Sequence, residues 1–301
     1  MLAGAEKELQ AGHIESLTSM TAIQSLLAGL FDYAGLYPPA SLGMSAAAAN
    51  YLEYSSGEHA WALGRFIIDA KRLKELRSAL REEDLKRFRL SAVVSSETDM
   101  AKVSEEIEKG CPVDTVEVKW SRPSKGVIEV PESLTTYLEI EAGKQSGETL
   151  DLISGLDVRA KIRMGGVVAE AFPEPATVVE TLRVVAERRL RFKATAGLHH
   201  PVRSSQRLTY EPQSARATMH GFLNLTGAAA LVYFGGERRL AEEMLQDEDR
   251  MAWRIDEGSL RWRDQCWTTE QIATVRREFF MSIGSCSFEE PMRDLEALGW
   301  L

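Results

Sequence analysis

Residues Arg191–Arg203 read RFKATAGLHHPVR, and the fold follows from how this stretch is parsed. Its first half alternates: Phe192 and Ala194 fall on one face of an extended strand, Arg191, Lys193 and Thr195 on the other. Gly197 then breaks the strand, and two histidines, a proline and an arginine follow. A charged strand face that runs into a histidine-bearing turn looks like the mouth of an active site.

Three upstream segments repeat the alternation. Glu117 and Lys119 oppose Val116, Val118 and Trp120; Tyr137, Glu139 and Glu141 oppose Leu138 and Ile140; Lys161 and Arg163 oppose Ala160, Ile162 and Met164. Candidate strands fall at Leu30–Ala34, Trp61–Ile68, Leu90–Ser95, Thr115–Trp120, Thr136–Glu141, Arg159–Met164, the opening stretch and Met281–Ser285. Helical patterns lie between them; the strongest is Pro173–Arg189, with proline near its start and Val178, Val179, Leu182 and Val185 at helical spacing. This rhythm of βα units predicts an α/β fold, a (β/α)8 TIM-like barrel with extra helices between strands seven and eight. A doubly wound open sheet is the alternative.

The chain is read as one domain over 1–301. Residues 1–28 form an N-terminal helical segment, and 203–280 an insertion that opens with a polar loop at 203–218, suited to a lid, and continues in helices. At 301 residues, 44% apolar and 27% charged, the composition suits a globular protein with an ample core. A net charge of −9 argues against nucleic acid and against an anionic membrane surface as partners. The longest apolar run, Ala228–Phe234, is far short of a membrane span. No secretory signal pattern opens the chain, and Cys111, Cys266 and Cys286 form no CxxC pair, so a cytoplasmic location is expected. The oligomeric state is left open.

In a barrel the helices cover the outer face of the sheet, so the apolar faces point outward and the charged faces line the interior. Acids and bases on neighbouring strands offset one another's burial there. The candidate catalytic groups are therefore Lys161, Lys193, Glu139, Glu141, His199 and His200. For an anionic small-molecule substrate the candidate binding groups are Lys119, Arg163, Thr195 and the Gly165–Gly166 turn, whose bare backbone suits an anion. To these are added Arg203, His220 and Asn224, the last two one helical turn apart. A tight packing turn explains the two glycines equally well.

His199 and His200, with His220 and Glu139 or Glu141, invite a metal reading. Adjacent residues on an extended chain point opposite ways, however, so no metal or other cofactor is assigned. One histidine is expected to act as acid, base or donor. Cys286, in a strand-to-helix turn, reads either as a small packing residue or as a thiol activated by a helix N-terminus. Glu289 and Glu290 after it disfavour phosphate at that turn.

AKIRMGG around Lys161, FKATAG around Lys193 and IGSCS at Ile283–Ser287 resemble, in order, the last three strands of class I, Schiff-base aldolases of the deoxyribose-phosphate aldolase type. The resemblance implies a barrel in which Lys161 forms the imine, Lys193 lowers its pKa and the last turn meets phosphate. FKATAG can also be laid on the imine strand, which makes Lys193 the nucleophile. The function expected is carbonyl chemistry, aldolase- or lyase-like, on a small anionic substrate. A metal-assisted or metal-free isomerase or hydrolase using Glu, Lys and His is the second reading, and a non-catalytic barrel that binds a small acid is the third.

Overall fold

Eight parallel strands close into a barrel in a computed structural model that describes residues 20–119, 129–143, 150–151, 154 and 156–301. Seven of them come in sequence: β1 (Phe31–Tyr33), β2 (Leu63–Asp69), β3 (Leu90–Val94), β4 (Val113–Lys119), β5 (Thr135–Glu141), β6 (Arg159–Arg163) and β7 (Phe192–Thr195). The chain then leaves the barrel for an antiparallel hairpin, β8 (Ser204–Arg207) with β9 (Arg216–Met219). After two helices comes a three-stranded antiparallel sheet, β10 (Trp253–Ile255), β11 (Ser259–Trp262) and β12 (Gln265–Thr268). β13 (Phe280–Ser285) returns to close the barrel between β7 and β1. This is the (β/α)8 class the strand rhythm predicts.

The alternation on β4 to β7 works as barrel geometry demands. Val116, Val118, Leu138, Ile140, Ile162 and Phe192 join one apolar core with Val178, Val179, Leu182 and Val185 of the helix Pro175–Glu187. That helix starts with Pro175, whose missing N–H would be unsatisfied there in any residue. Phe192 stacks on Phe280 at 4.9 Å between centroids and meets Phe279 edge-on, which ties β7 to β13. The face opposite turns inward and carries the charges.

The insertion is where the structure departs from expectation. Residues 204–207 and 216–219 pair as a hairpin, not a loop, through Ser204–Met219, Ser205–Thr218, Gln206–Ala217 and Arg207–Arg216. β10–β12 were not legible because each is only three or four residues long, and arginines interrupt the apolar pattern of β10 and β11. Their tryptophans point one way: Trp253, Trp262 and Trp267 are all buried. Asp247 anchors them, accepting from Trp262 Nε1 at 2.9 Å and from two nitrogens of Arg263. The helix Phe222–Tyr233 is buried almost all round, with ten residues from Phe222 to Leu231 inaccessible, so it fills the layer that strand-to-helix packing requires.

The described N-terminal residues follow expectation in part. The helix Ala22–Leu27 starts with a Thr21–Gln24 capping box and hydrogen-bonds to Glu257 through its first N–H. The expected helix over 1–19, Trp120 and most of Glu148–Gly155 lie outside the described residues.

Candidate active site at the barrel mouth

Six charged side chains from five strands form an alternating chain through the barrel interior. Lys193 Nζ lies 2.5 Å from Asp32 Oδ2 and 2.7 Å from Glu117 Oε1. Lys161 Nζ lies 2.8 Å from Glu117 Oε2 and 2.7 Å from Glu139 Oε2. Arg163 follows, 3.7 Å from the other oxygen of Glu139. Lys193–Asp32, Lys193–Glu117 and Lys161–Glu117 skip intervening strands, as side chains inside a closed barrel can do. Ser282 and Ser91 donate to Asp32 and Glu117 at 2.7 and 2.8 Å, and the backbone N–H of Arg65 donates to Asp32 at 2.7 Å.

The electrostatics correct one expectation. Burial pulls the Lys161 pKa down, but Glu117 and Glu139 outweigh it and leave the amine above its ordinary range. Lys193 behaves alike, raised by Asp32 and Glu117 against the pull of burial. Burial opposes ionisation of Glu117, and Lys161 and Lys193 together hold its carboxyl far below the usual range. The two lysines do not depress each other, because a carboxylate stands between them and converts repulsion into two attractions. Their environments also differ. Lys193 is fully buried and bound through aligned hydrogen bonds, whereas Lys161 borders the cavity and Glu117 Oε2 accepts no aligned hydrogen bond among the described residues.

Above Lys161 opens a cavity of about 580 Å³ at the C-terminal end of the strands. Lys119, Lys161, Arg163, Arg207 and Arg216 line it, against the carboxylates of Glu117, Glu139 and Glu290. The β8–β9 hairpin forms one wall through Gln206, Arg207, Arg216 and Met219, and the connection between its strands adds Tyr210. The turn after β1 contributes Tyr37, Pro38 and Pro39. The Tyr37 hydroxyl is buried and has no hydrogen-bond partner among the described residues. Burial first, then the charge of Glu117, pushes its pKa up, so it stays a donor.

A second cluster occupies the same wall. Cys286, just past β13, has Sγ 3.9 Å from His199 Nε2, and His199 Nδ1 lies 3.0 Å from Glu290 Oε2. The Tyr210 hydroxyl is 3.5 Å from that sulfur and 3.3 Å from Glu290 Oε2. Burial alone would favour a neutral His199, yet Cys286 and Glu290 lift its pKa from 6.5 to about 10. Burial likewise opposes a thiolate at Cys286, but His199, Tyr210 and the backbone N–H of Ala40 outweigh it and lower the thiol pKa. Sequence reasoning offered packing or a helix N-terminus for this cysteine; its partner is a side chain 87 residues away. Glu290 stands in the first turn of the helix Glu289–Ala297, which begins three residues past Cys286.

Of the other expected site residues, Lys119, Gly166, Thr195 and His200 line the cavity, and His200 holds Asp294 at 2.6 Å. Glu141 ends β5 on the exposed side and is not a lining residue. Gly165 serves packing: a Cβ there would stand 2.6 Å from the Phe172 ring, and one on Gly197, at φ +71°, 2.4 Å from it. His220, Asn224 and Arg203 are brought together, but outside the cavity lining. His220 donates from Nε2 to the Pro173 carbonyl at 2.7 Å and accepts from Arg203 at Nδ1. Asn224 accepts from the Arg203 backbone and donates to the carbonyls of Met244 and Asp247. They clasp the insertion to the barrel, because buried backbone groups left by the turn need partners.

His199 and His200 each engage a different acid, and among the described residues no three His, Cys, Asp or Glu side chains group as metal ligands would. No described helix is long and apolar enough to cross a membrane. Comparison with family models and with curated proteins returns no match.

Proposed function

We propose that the protein is a carbonyl-chemistry enzyme, a lyase that forms an imine between Lys161 and a small anionic aldehyde or keto acid. The observation that carries this reading is the position of the Lys161 amine between Glu117 and Glu139, bordering the same cavity as the Tyr37 hydroxyl, which has no hydrogen-bond partner among the described residues. The neutral amine adds to the carbonyl carbon and water leaves. The protonated imine then draws in the electron pair of the bond between its α- and β-carbons and becomes an enamine, while the β-hydroxyl loses its proton and the β-carbon leaves as an aldehyde or ketone. Glu139 takes the ammonium proton, and Tyr37 donates to the carbonyl oxygen. The surplus of cationic groups over carboxylates around the cavity suits a carboxylate or phosphate on the substrate.

Against the pull of burial, Glu117 and Glu139 raise the Lys161 pKa and hold it as an ammonium. The reactive fraction therefore grows about tenfold per pH unit below that pKa. Borohydride with pyruvate or glyceraldehyde should trap an adduct on Lys161, its yield climbing between pH 7 and 10. Lys161→Met should abolish it, and Lys193→Met should leave the modified position unchanged. Adducts confined to exposed lysines at every pH would sink the imine reading.

A further inference from the structure

Cys286 is left unused by this chemistry, yet side chains from several elements converge on it. From the loop after β7 comes His199, from the β8–β9 connection Tyr210, and from the last helix, Glu289–Ala297, Glu290. From β1 comes Tyr33, whose hydroxyl accepts from Asn50 at 3.3 Å. The imidazole is itself oriented: Glu290 faces Nδ1 at 3.0 Å, which leaves Nε2 aimed at the sulfur. His200 stands behind this pair on Asp294, adding positive potential beside Glu290. The other two cysteines have nothing comparable. Cys266 is exposed, and Cys111 is buried beside Glu106, where burial first and then that carboxylate lift its pKa to about 11.

We propose that Cys286 and His199 form a thiolate–imidazolium pair that captures an aldehyde in the cavity as a reversible hemithioacetal, with Glu290 as the positioning residue of the imidazolium. The sulfur lone pair forms the S–C bond, the C=O π pair moves to oxygen, and the Nε2 proton of His199 passes to that oxygen. The products are a neutral hemithioacetal and a neutral imidazole that keeps its Nδ1 proton on Glu290. No oxidant, leaving group or further reactant is required. An acyl transfer fits less well. It needs fixed donors for an oxyanion that persists, and the Ala40 N–H beside the sulfur is already taken by it. His199 can instead protonate the oxygen outright. Imine formation at Lys161 is not required, so the two centres can be tested apart.

The test uses the full chain as the double variant Cys111→Ala, Cys266→Ala, in which Cys286 is the only thiol. Thiolate absorbance near 240 nm should rise in one step centred below the ordinary thiol value of 9.0. His199→Gln in that background should move the step upward, and Glu290→Gln should move it less. Should the double variant not fold, the same step is read as the difference between the parent chain and Cys286→Ser. Acetaldehyde labelled with ¹³C at the carbonyl should then abolish the thiolate absorbance near neutral pH. It should also give a hemithioacetal carbon signal that persists in Lys161→Met and disappears in Cys286→Ser. A step at or above the ordinary thiol value that ignores His199→Gln overturns the proposal, as does an unchanged absorbance with no hemithioacetal signal. Borohydride trapping at Lys161 is read separately, so neither result can stand in for the other.

Discussion

Lys193 on β7 binds Asp32 on β1 at 2.5 Å, past the intervening strand β13, with both side chains sealed from solvent. A pair this deep is costly to create, several kcal/mol per ion, and costlier to break, because the remaining charge stays buried without its partner. Lys193→Met should therefore destabilise the fold by about 3–5 kcal/mol in urea unfolding. A loss under about 1 kcal/mol, the range of exposed pairs, would show that the interior chain of charges contributes little.

Gly64 exists for the same pair. A Cβ there would stand 2.3 Å from Asp32 Oδ1 and 3.1 Å from the Asp32 backbone nitrogen. Gly64→Ala should cost about 1–3 kcal/mol by overpacking. In an Asp32→Ala background the penalty should shrink, giving a coupling energy of about 0.5–3 kcal/mol in a double-mutant cycle. Strict additivity would refute the steric account.

Stability should fall in mild acid because of His220. Burial first, and then the charge of Arg203, depress its pKa from 6.5 to about 4. A group lowered on folding contributes stability that is fully present above its unfolded pKa. For His220 that contribution is lost as pH falls from about 6.5 through about 4, on the order of 3 kcal/mol in all. The difference in unfolding free energy between the parent chain and His220→Gln should narrow over that interval. A difference independent of pH between 7 and 4 would mean that His220 takes up its proton as readily in the folded state as in the unfolded one.

Arg207 and Arg216 sit directly opposite each other on the hairpin, and both border the cavity. Like charges at such a pair disfavour the ladder, and an anion between them relieves the repulsion. Pyruvate or phosphate should therefore slow cleavage by chymotrypsin after the exposed Tyr210 in the parent chain, and much less so in Arg216→Ala. Equal protection of the two would place the anion elsewhere.

Most of the barrel was legible in the chain because parallel strands and their covering helices obey local periods. The alternation of Glu117, Glu139, Lys161 and Lys193 with valine, leucine, isoleucine and phenylalanine needed only the two-residue period of a strand to be read as inward and outward faces. Asp32 escaped because β1 is three residues long, too short to show alternation, and its neighbours Phe31 and Tyr33 are buried as well. The hairpin escaped because its strands are four residues long, SSQR without an apolar residue and RATM too short for its alternation to stand out.

What the sequence determined alone is the fold class, the parity of the inner charges and the end of the barrel at which side chains of opposite sign meet. Tertiary structure decided which of them act on one another. Glu117 falls between two lysines that were expected to repel, so both are held protonated and only Lys161 reaches the cavity. Cys286 and His199 are joined only by closure of the barrel between β7 and β13. The physical reason is that a period sets the direction of a side chain, a property of neighbours along the chain. The sign and size of a charge interaction depend on distances of 2.5–4 Å between groups tens of residues apart, and those distances come into being only when the last strand docks against the first.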